Sequence, residues 1–465
     1  MRVVRFLLAV VLTLLTLGGV VALGVSTSMA GSFRTPPTGV PLPAARTVPE
    51  GRIPVAVVLG ADGSVVSDVL APFEVFARSE RFFVYTVAAR REPVALSGGL
   101  HVLPDYAFDA APEPDVLVVP AVVDVAEPAL RAWIAGRAAR GARVLGVCAG
   151  SEVLAATGVL DGRSATSHWA VLGSLAAEYP KTRWVRGQRF VEDGPVVTTA
   201  GVTSGIAGAL WTVRRLAGDA EAARIGADLG YPGWTSDGPA PIPALRIGVA
   251  DLPYGLAVAF PWFRPRVGLG LVDGVGEIDV AAVAEANTFG VELVPVAAGS
   301  TVTTRHGLVL LATPVSTAGP GIPADAPAGT GTAGPTGAVT DGPDVERLVV
   351  PGGRADRALT DWARARHLAV DLPGPGFGPA LRDLARRADR ATAAATARYI
   401  EYPVGDLDGP AWSWRPTALL AATLLIAVGA GLLLRLGRNF SRNRGAPPNG
   451  PALTSTRDAG NLPAR

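Results

Sequence analysis

The sequence predicts an α/β protein with a mainly parallel sheet, framed by an apolar span at each end. Three observations carry this. Continuous apolar runs such as Ile53 to Leu59 and Val116 to Val119 alternate with segments of helical spacing, the pattern of strands covered on both faces. The run Val144 to Val147 arrives at Cys148, and small residues and a short helical stretch ending at Gly158 follow at once. That is strand, tight turn and helix with a thiol at the corner, and such an elbow needs small neighbours. Finally, Phe6 to Val25 and Pro416 to Leu434 contain no charged residue. At ~1.5 Å per residue, each is long enough to cross a ~30 Å hydrocarbon core.

The ends set a topology. Arg2 and Arg5 precede the first span, and Arg435, Arg438, Arg442 and Arg444 follow the second. The positive-inside rule then puts both termini in the cytoplasm and residues 31 to 414 outside it. Ser28-Met29-Ala30 also reads as a signal-peptidase site that would remove residues 1–30, and both readings leave the middle of the chain on the same side. The 465 residues carry 42 basic and 40 acidic side chains, a net charge of +2, so no strong field draws the chain to nucleic acid.

In chain order, residues 31–52 are a Pro/Ser/Thr-rich spacer. The first domain, 53–235, begins with the strand from Ile53. A turn at Asp62-Gly63 leads to a helix over Asp68 to Arg78 and a strand over Phe82 to Ala89. Val94 to Leu103, with Gly98-Gly99, suits a small hairpin, and Val116 to Val119 is another buried strand. Pro128 to Arg140 is an amphipathic helix with Leu130, Trp133 and Ile134 on one face. After the Cys148 elbow, Trp184 to Thr199 holds two strands around Asp193-Gly194, and helices follow over Ala200 to Leu216 and Ala220 to Tyr231.

A second domain, 245–403, repeats the first. Asp62, Gly63, Asp68, Val69, Ala71 and Glu74 match Asp273, Gly274, Asp279, Val280, Ala282 and Glu285 at one constant offset. Leu348 to Pro351 echoes Leu117 to Pro120, and Trp362 echoes Trp133. The register shifts there because of a Gly/Pro/Thr/Ala-rich insert, 316–343, of disordered composition. Leu372 to Gly376 stands where the second elbow would come and holds no cysteine, so this copy reads as degenerate and chemically silent. The second span, 416–434, and a basic cytoplasmic tail, 435–465, complete the chain.

Cys148 is the only cysteine and forms no intramolecular disulfide. The N-terminus of the following helix favours a thiolate. A lone cysteine also serves as a small buried hydrophobe, and that alternative stays open here.

Val144 to Gly150, Leu160 to Arg163 and Ala165 to Trp169 resemble the DJ-one/ThiJ/PfpI family of the class I glutamine amidotransferase-like superfamily. Asp68 to Phe76 and Thr199 to Ile206 resemble motifs of its AraC-type and isonitrile-hydratase-like branch. The resemblance covers about 53 to 232 well and 245 to 403 weakly. It implies a flavodoxin-like parallel sheet sandwich with a nucleophile elbow. Cys148 would be the nucleophile, with Asp68 and His168 as its proton partners. Ala149 and Ala121 hold the oxyanion or binding positions, although family members often carry Gly-Gly where Ala121-Val122 stands. Hydratase-like members place threonine after the cysteine, where this chain has Ala149. AraC-type members carry a helix-turn-helix region that nothing here resembles.

Asp68 also suits a helix N-cap and His168 a packing position beside Trp169. Many family members dimerise, so the second copy is expected to take the partner's place within one chain. Three functions follow: a membrane-anchored cysteine-dependent hydrolase, hydratase or lyase acting on a small molecule; a ligand-binding or redox-sensing ectodomain; or a structural pseudo-dimer. The four histidines show no metal-ligand spacing, and neither a metal nor a cofactor is expected.

Overall fold

The computed structural model describes residues 2–235, 238, 241–316 and 342–443. The first apolar run forms α1 (Arg2–Ser32), and its stretch Phe6–Ser32 is the one helix among the described residues long and apolar enough to cross a membrane. The described residues of 23–417 form one compact unit, and those of 1–22 and 418–465 another.

Within the larger unit the first half runs β1 (Ile53–Val58), α2 (Val66–Ala77), β2 (Phe82–Ala88), β3 (Val94–Leu96), β4 (Leu100–Leu103), β5 (Tyr106–Ala107) and β6 (Val116–Val119). It continues with α3 (Pro128–Ala139), β7 (Arg143–Gly146), α4 (Gly150–Ala156), β8 (Ser164–Ala165), α5 (Leu172–Glu178) and β9 (Arg183–Trp184). The antiparallel pair β10 (Phe190–Asp193) and β11 (Val196–Thr199) precedes α6 (Ser204–Ala217) and α7 (Asp219–Leu229). The apolar runs become strands because helices cover both faces: β2 and β6 are buried along their whole length. The sheet order is β10-β11-β7-β6-β1-β2-β5, parallel except for β10.

The second half runs α8 (Leu252–Ala259), β12 (Arg266–Gly270), α9 (Glu277–Asn287), β13 (Glu292–Ala297), β14 (Thr301–Thr303), β15 (Val309–Leu311) and β16 (Thr313–Pro314). Then come β17 (Arg347–Val349), α10 (Arg357–Ala365), β18 (Ala369–Asp371), α11 (Phe377–Arg387) and α12 (Arg390–Tyr399). Its sheet is all parallel, in the order β16-β13-β12-β17-β18. That matches β5-β2-β1-β6-β7 of the first half strand for strand.

The two halves share one hydrophobic core, and the hairpins pair across it, with β4 antiparallel to β15. α2 packs on α9 of the second half. The N-terminal N–H groups of a helix lack intrahelical partners. Here each helix receives them from the other half. Glu74 Oε2 on α2 accepts from Ile278 N of α9 (2.7 Å), and Glu285 Oε1 on α9 accepts from Ser67 N (3.4 Å) and Oγ (2.6 Å) of α2.

The last helix is α13 (Trp414–Asn443), of which Trp414–Gly429 is a shorter apolar helix. The second span expected over 416–434 falls within α13. Most of the expected insert, 317–341, lies outside them, as does the tail from 444.

Candidate functional site

β7 delivers Cys148 to the carboxyl end of the sheet, where ligands of such folds bind. Cys148 has φ of 56°, a left-handed conformation costing a non-glycine residue on the order of 1–3 kcal/mol, and it is 6 % exposed. The turn is possible because Gly150 follows: a Cβ there would stand 2.1 Å from Val119 O. Cys148 N donates to Thr199 Oγ1 (3.3 Å), and the Cys148 carbonyl accepts from Ser151 Oγ and Ser167 Oγ (both 3.0 Å). The elbow is thus tied to α4, to β11 and to the chain leading to His168.

Asp68 lies in the first turn of α2, fully buried, beside the Cys148 thiol. The N-cap of this helix is Val65, so Asp68 is not the cap that its position also suited. Asp68 Oδ2 accepts from Ala121 N (3.1 Å), whereas Oδ1 is buried without a hydrogen-bond partner. Burial pushes its carboxyl well above the usual carboxylate range, opposed by the Ala121 N–H and reinforced by the charge of Glu285. Burial, and then Asp68, push the thiol up as well, while the Ala149 N–H favours its ionised form. The N-terminal end of α4 does not outweigh this desolvation. Burial thus disfavours the expected thiolate and favours the protonated form of both groups.

Two expected roles change. His168 Nε2 bonds the Tyr399 carbonyl (2.8 Å) and Nδ1 accepts from Ala170 N (3.3 Å), so both ring nitrogens are engaged away from the thiol. Burial lowers its pKa to about 4, keeping the imidazole neutral. Ala121 spends its N–H on Asp68, so it orients the acid instead of facing an oxyanion. Ala149 N–H points at the sulfur.

The second half closes the site. Tyr399, at the end of α12, stacks on Tyr254 of α8 with centroids 4.4 Å apart and tilts over His168 at 4.7 Å. Burial raises both phenols, and Cys148 is among the charges acting on each. Glu401 Oε2 accepts from Gly201 N (2.6 Å) and Ser204 Oγ (3.0 Å), and Thr203 N donates to Ile400 O (3.2 Å). Sequence reasoning missed Tyr254, Tyr399 and Glu401 because they lie beyond the stretch with family motifs. Glu285 had a signal, its match to Glu74. Burial shifts Cys148, Asp68, His168, Tyr254 and Tyr399 each toward its uncharged form, which favours an uncharged molecule.

Away from this site, Glu74, Glu277 and His306 each place a potential metal-ligand atom within 4.8 Å of the others. Their partners are already protein groups. Glu74 binds Arg78 and Ile278 N, and Glu277 binds His306 Nδ1 (2.7 Å) and Thr304 Oγ1 (2.6 Å).

Comparison with known proteins matches residues 54–214 to the DJ-1/PfpI family. Isonitrile hydratase from Pseudomonas putida is 34% identical over 191 residues, spanning 40% of this chain and 78% of that protein. The HTH-type transcriptional regulator CdhR of Pseudomonas aeruginosa is 35% identical over 125 residues, 26% of this chain and 37% of the regulator. Among solved structures, a ThiJ/PfpI family protein from Pseudomonas syringae is 28% identical, with 47% of this chain and 86% of that chain covered and a TM-score of 0.37.

Proposed function

The chain belongs to the DJ-1/PfpI family, and from that premise we propose that its Cys148 site adds water to a small, uncharged molecule with a polarised multiple bond, as in an isonitrile. The observation that carries this reading is the buried Asp68 carboxyl, adjacent to the thiol and holding one oxygen free of any protein partner. A neutral carboxylic acid is a proton donor at neutral pH, as addition to such a bond requires. The Cys148 sulfur bonds to the terminal carbon while Asp68 protonates that carbon, and the thiol proton restores the acid. Water then adds to the resulting thioimidate carbon. The carbon–sulfur bond breaks, the thiol regains its proton and a formamide leaves.

The test is incubation of the full chain with an alkyl isocyanide, following the formamide by NMR. Wild type turns over, and Cys148→Ser and Asp68→Asn do not. Absence of formamide from the folded wild type overturns the reading. The burial of Cys148 favours a second one, in which the same site binds a ligand without turnover. Saturable binding without product would select it.

The two halves are read as a duplicated pseudo-dimer, supported by the matching strand orders and the reciprocal Glu74 and Glu285 contacts. The larger unit is read as an extracytoplasmic domain anchored by α1. A retained anchor is supported by the outer turns of α1, which are part of that unit. Ser28 Oγ donates to Val258 O (2.6 Å) and accepts from Arg264 Nη2 (2.9 Å), and Ser32 Oγ accepts from Gly98 N (3.0 Å). Cleavage after Ala30 would remove the first two of these bonds.

A further inference from the structure

The segment after α12 puts a carboxyl where the family motifs have none. Glu401 adopts φ of 56° and is 6 % exposed, a strained placement for a glutamate. It is held on all sides by the first half. Oε2 accepts from Gly201 N and Ser204 Oγ, and the Glu401 carbonyl accepts from Arg189 Nη1 (3.2 Å) and Thr203 Oγ1 (3.2 Å). Oε1 is buried with no hydrogen-bond partner. Residue 201 must be glycine for this approach, since a Cβ there would meet Glu401 Cδ at 2.7 Å.

The loop so gripped adjoins the elbow at both ends. It leaves β11 through Thr199, whose Oγ1 accepts from Cys148 N. It enters α6, where a Cβ on Gly205 would stand 2.7 Å from Val147 Cγ1. A helix cap or a docking clamp explains one engaged oxygen. It does not explain a second oxygen, buried and unused, on a residue in a costly backbone conformation.

We propose that Glu401 is a positioning residue through which the second half governs Cys148: its neutral carboxyl permits the thiol to ionise, and its charged carboxylate holds the thiol protonated. This rests on Cys148 being the reacting group. Burial raises the Glu401 carboxyl to about 7, against the pull of Gly201 N, Ser204 Oγ and Arg189. Its charge is among those that raise the Cys148 thiol, after Asp68. The charged and titratable groups around it are Arg189, Tyr231, Tyr402 and Cys148, and Asp68 and Glu285 also act on the thiol. Arg189 is the cation of this set, and its Nη1 is already shared among Ser204, Tyr231 and the Glu401 carbonyl. The charge of Glu401 therefore reaches the elbow incompletely neutralised.

The test uses the full chain in detergent micelles. The single thiol is alkylated with iodoacetamide from pH 6 to 10 and the rate read by intact mass. Glu401→Gln is expected to move the alkylation profile to lower pH and to raise the rate at pH 8 by ~5-fold or more, and Glu401→Asp to restore the wild-type profile. Ser204→Ala removes one donor to Oε2, which raises the pH at which Glu401 ionises. Its rate between pH 7 and 8 is expected to exceed wild type. A Glu401→Gln protein that melts lower but keeps the wild-type profile overturns the proposal and leaves Glu401 a clamp. If that variant does not fold, a wild-type profile for Ser204→Ala overturns it equally. Isonitrile turnover plays no part in this readout, so failure of the hydratase reading and failure of this one are separate results.

Discussion

Glu74 and Glu285 each cap the helix that carries the other: Glu74 accepts from Ile278 N at the start of α9, and Glu285 from Ser67 at the start of α2. The two positions match at the constant offset of the proposed repeat, and the contacts are reciprocal. On the proposed duplication, this is the twofold reciprocity by which homodimers associate, with both copies in one chain.

Removing either cap strands buried helix-terminal N–H groups. Glu285→Ala is expected to cost about 1–3 kcal/mol, read as a lower melting temperature of the full chain. With its own face occupied, the wild type is expected to sediment as a monomer per micelle. A stable dimer formed through α2 would contradict the internal pairing.

Gly150→Ala should be the most damaging small substitution at the elbow. Its Cβ would fall 2.1 Å from Val119 O and 2.8 Å from the Pro120 carbonyl carbon, backbone atoms of the strand beside β7. Overpacking against backbone is expected to cost about 3 kcal/mol or more, measured by thermal unfolding. Gly158→Ala tests a different term. Nothing lies within 4 Å of a Cβ there, so only its φ of 79° is penalised, at about 1 kcal/mol.

His168 and Glu401 bend the pH dependence of stability in opposite directions. The folded pKa of Glu401, about 7, is above the ordinary glutamate value of 4.5, so its contribution is complete below 4.5 and is lost as pH rises through 7. The folded pKa of His168, about 4, lies below 6.5, so its contribution is complete above 6.5 and is lost as pH falls through 4. Each swing is on the order of 3 kcal/mol. Glu401→Gln should therefore gain stability relative to wild type between pH 5 and 7.5. His168→Asn should lose its wild-type penalty between pH 6.5 and 4. Parallel melting curves across that range would contradict both assignments.

Much of the first half could be read in the sequence, because strands buried on both faces leave unbroken apolar runs. Ile53 to Leu59 became β1, and Val116 to Val119 became β6 residue for residue. The elbow was equally legible, since Cys148-Ala149-Gly150 needs small residues against Val119 and Pro120. The thiol's ionisation was not. A helix N-terminus signals a thiolate from local sequence, whereas the desolvation that raises the thiol comes from its burial in the folded chain. The contact of His168 was hidden for the same reason: its partner, the Tyr399 carbonyl, is backbone 231 residues away.

The neutral Cys148–Asp68 pair is tested most directly by alkylating the folded wild type with uncharged iodoacetamide and anionic iodoacetate across pH. A buried thiol beside a protonated acid predicts an apparent pKa above the free value of ~8.5, with iodoacetamide strongly favoured beyond its advantage on a free thiol. An apparent pKa near or below 7, with iodoacetate reacting equally well, would mean an exposed thiolate and would contradict the account.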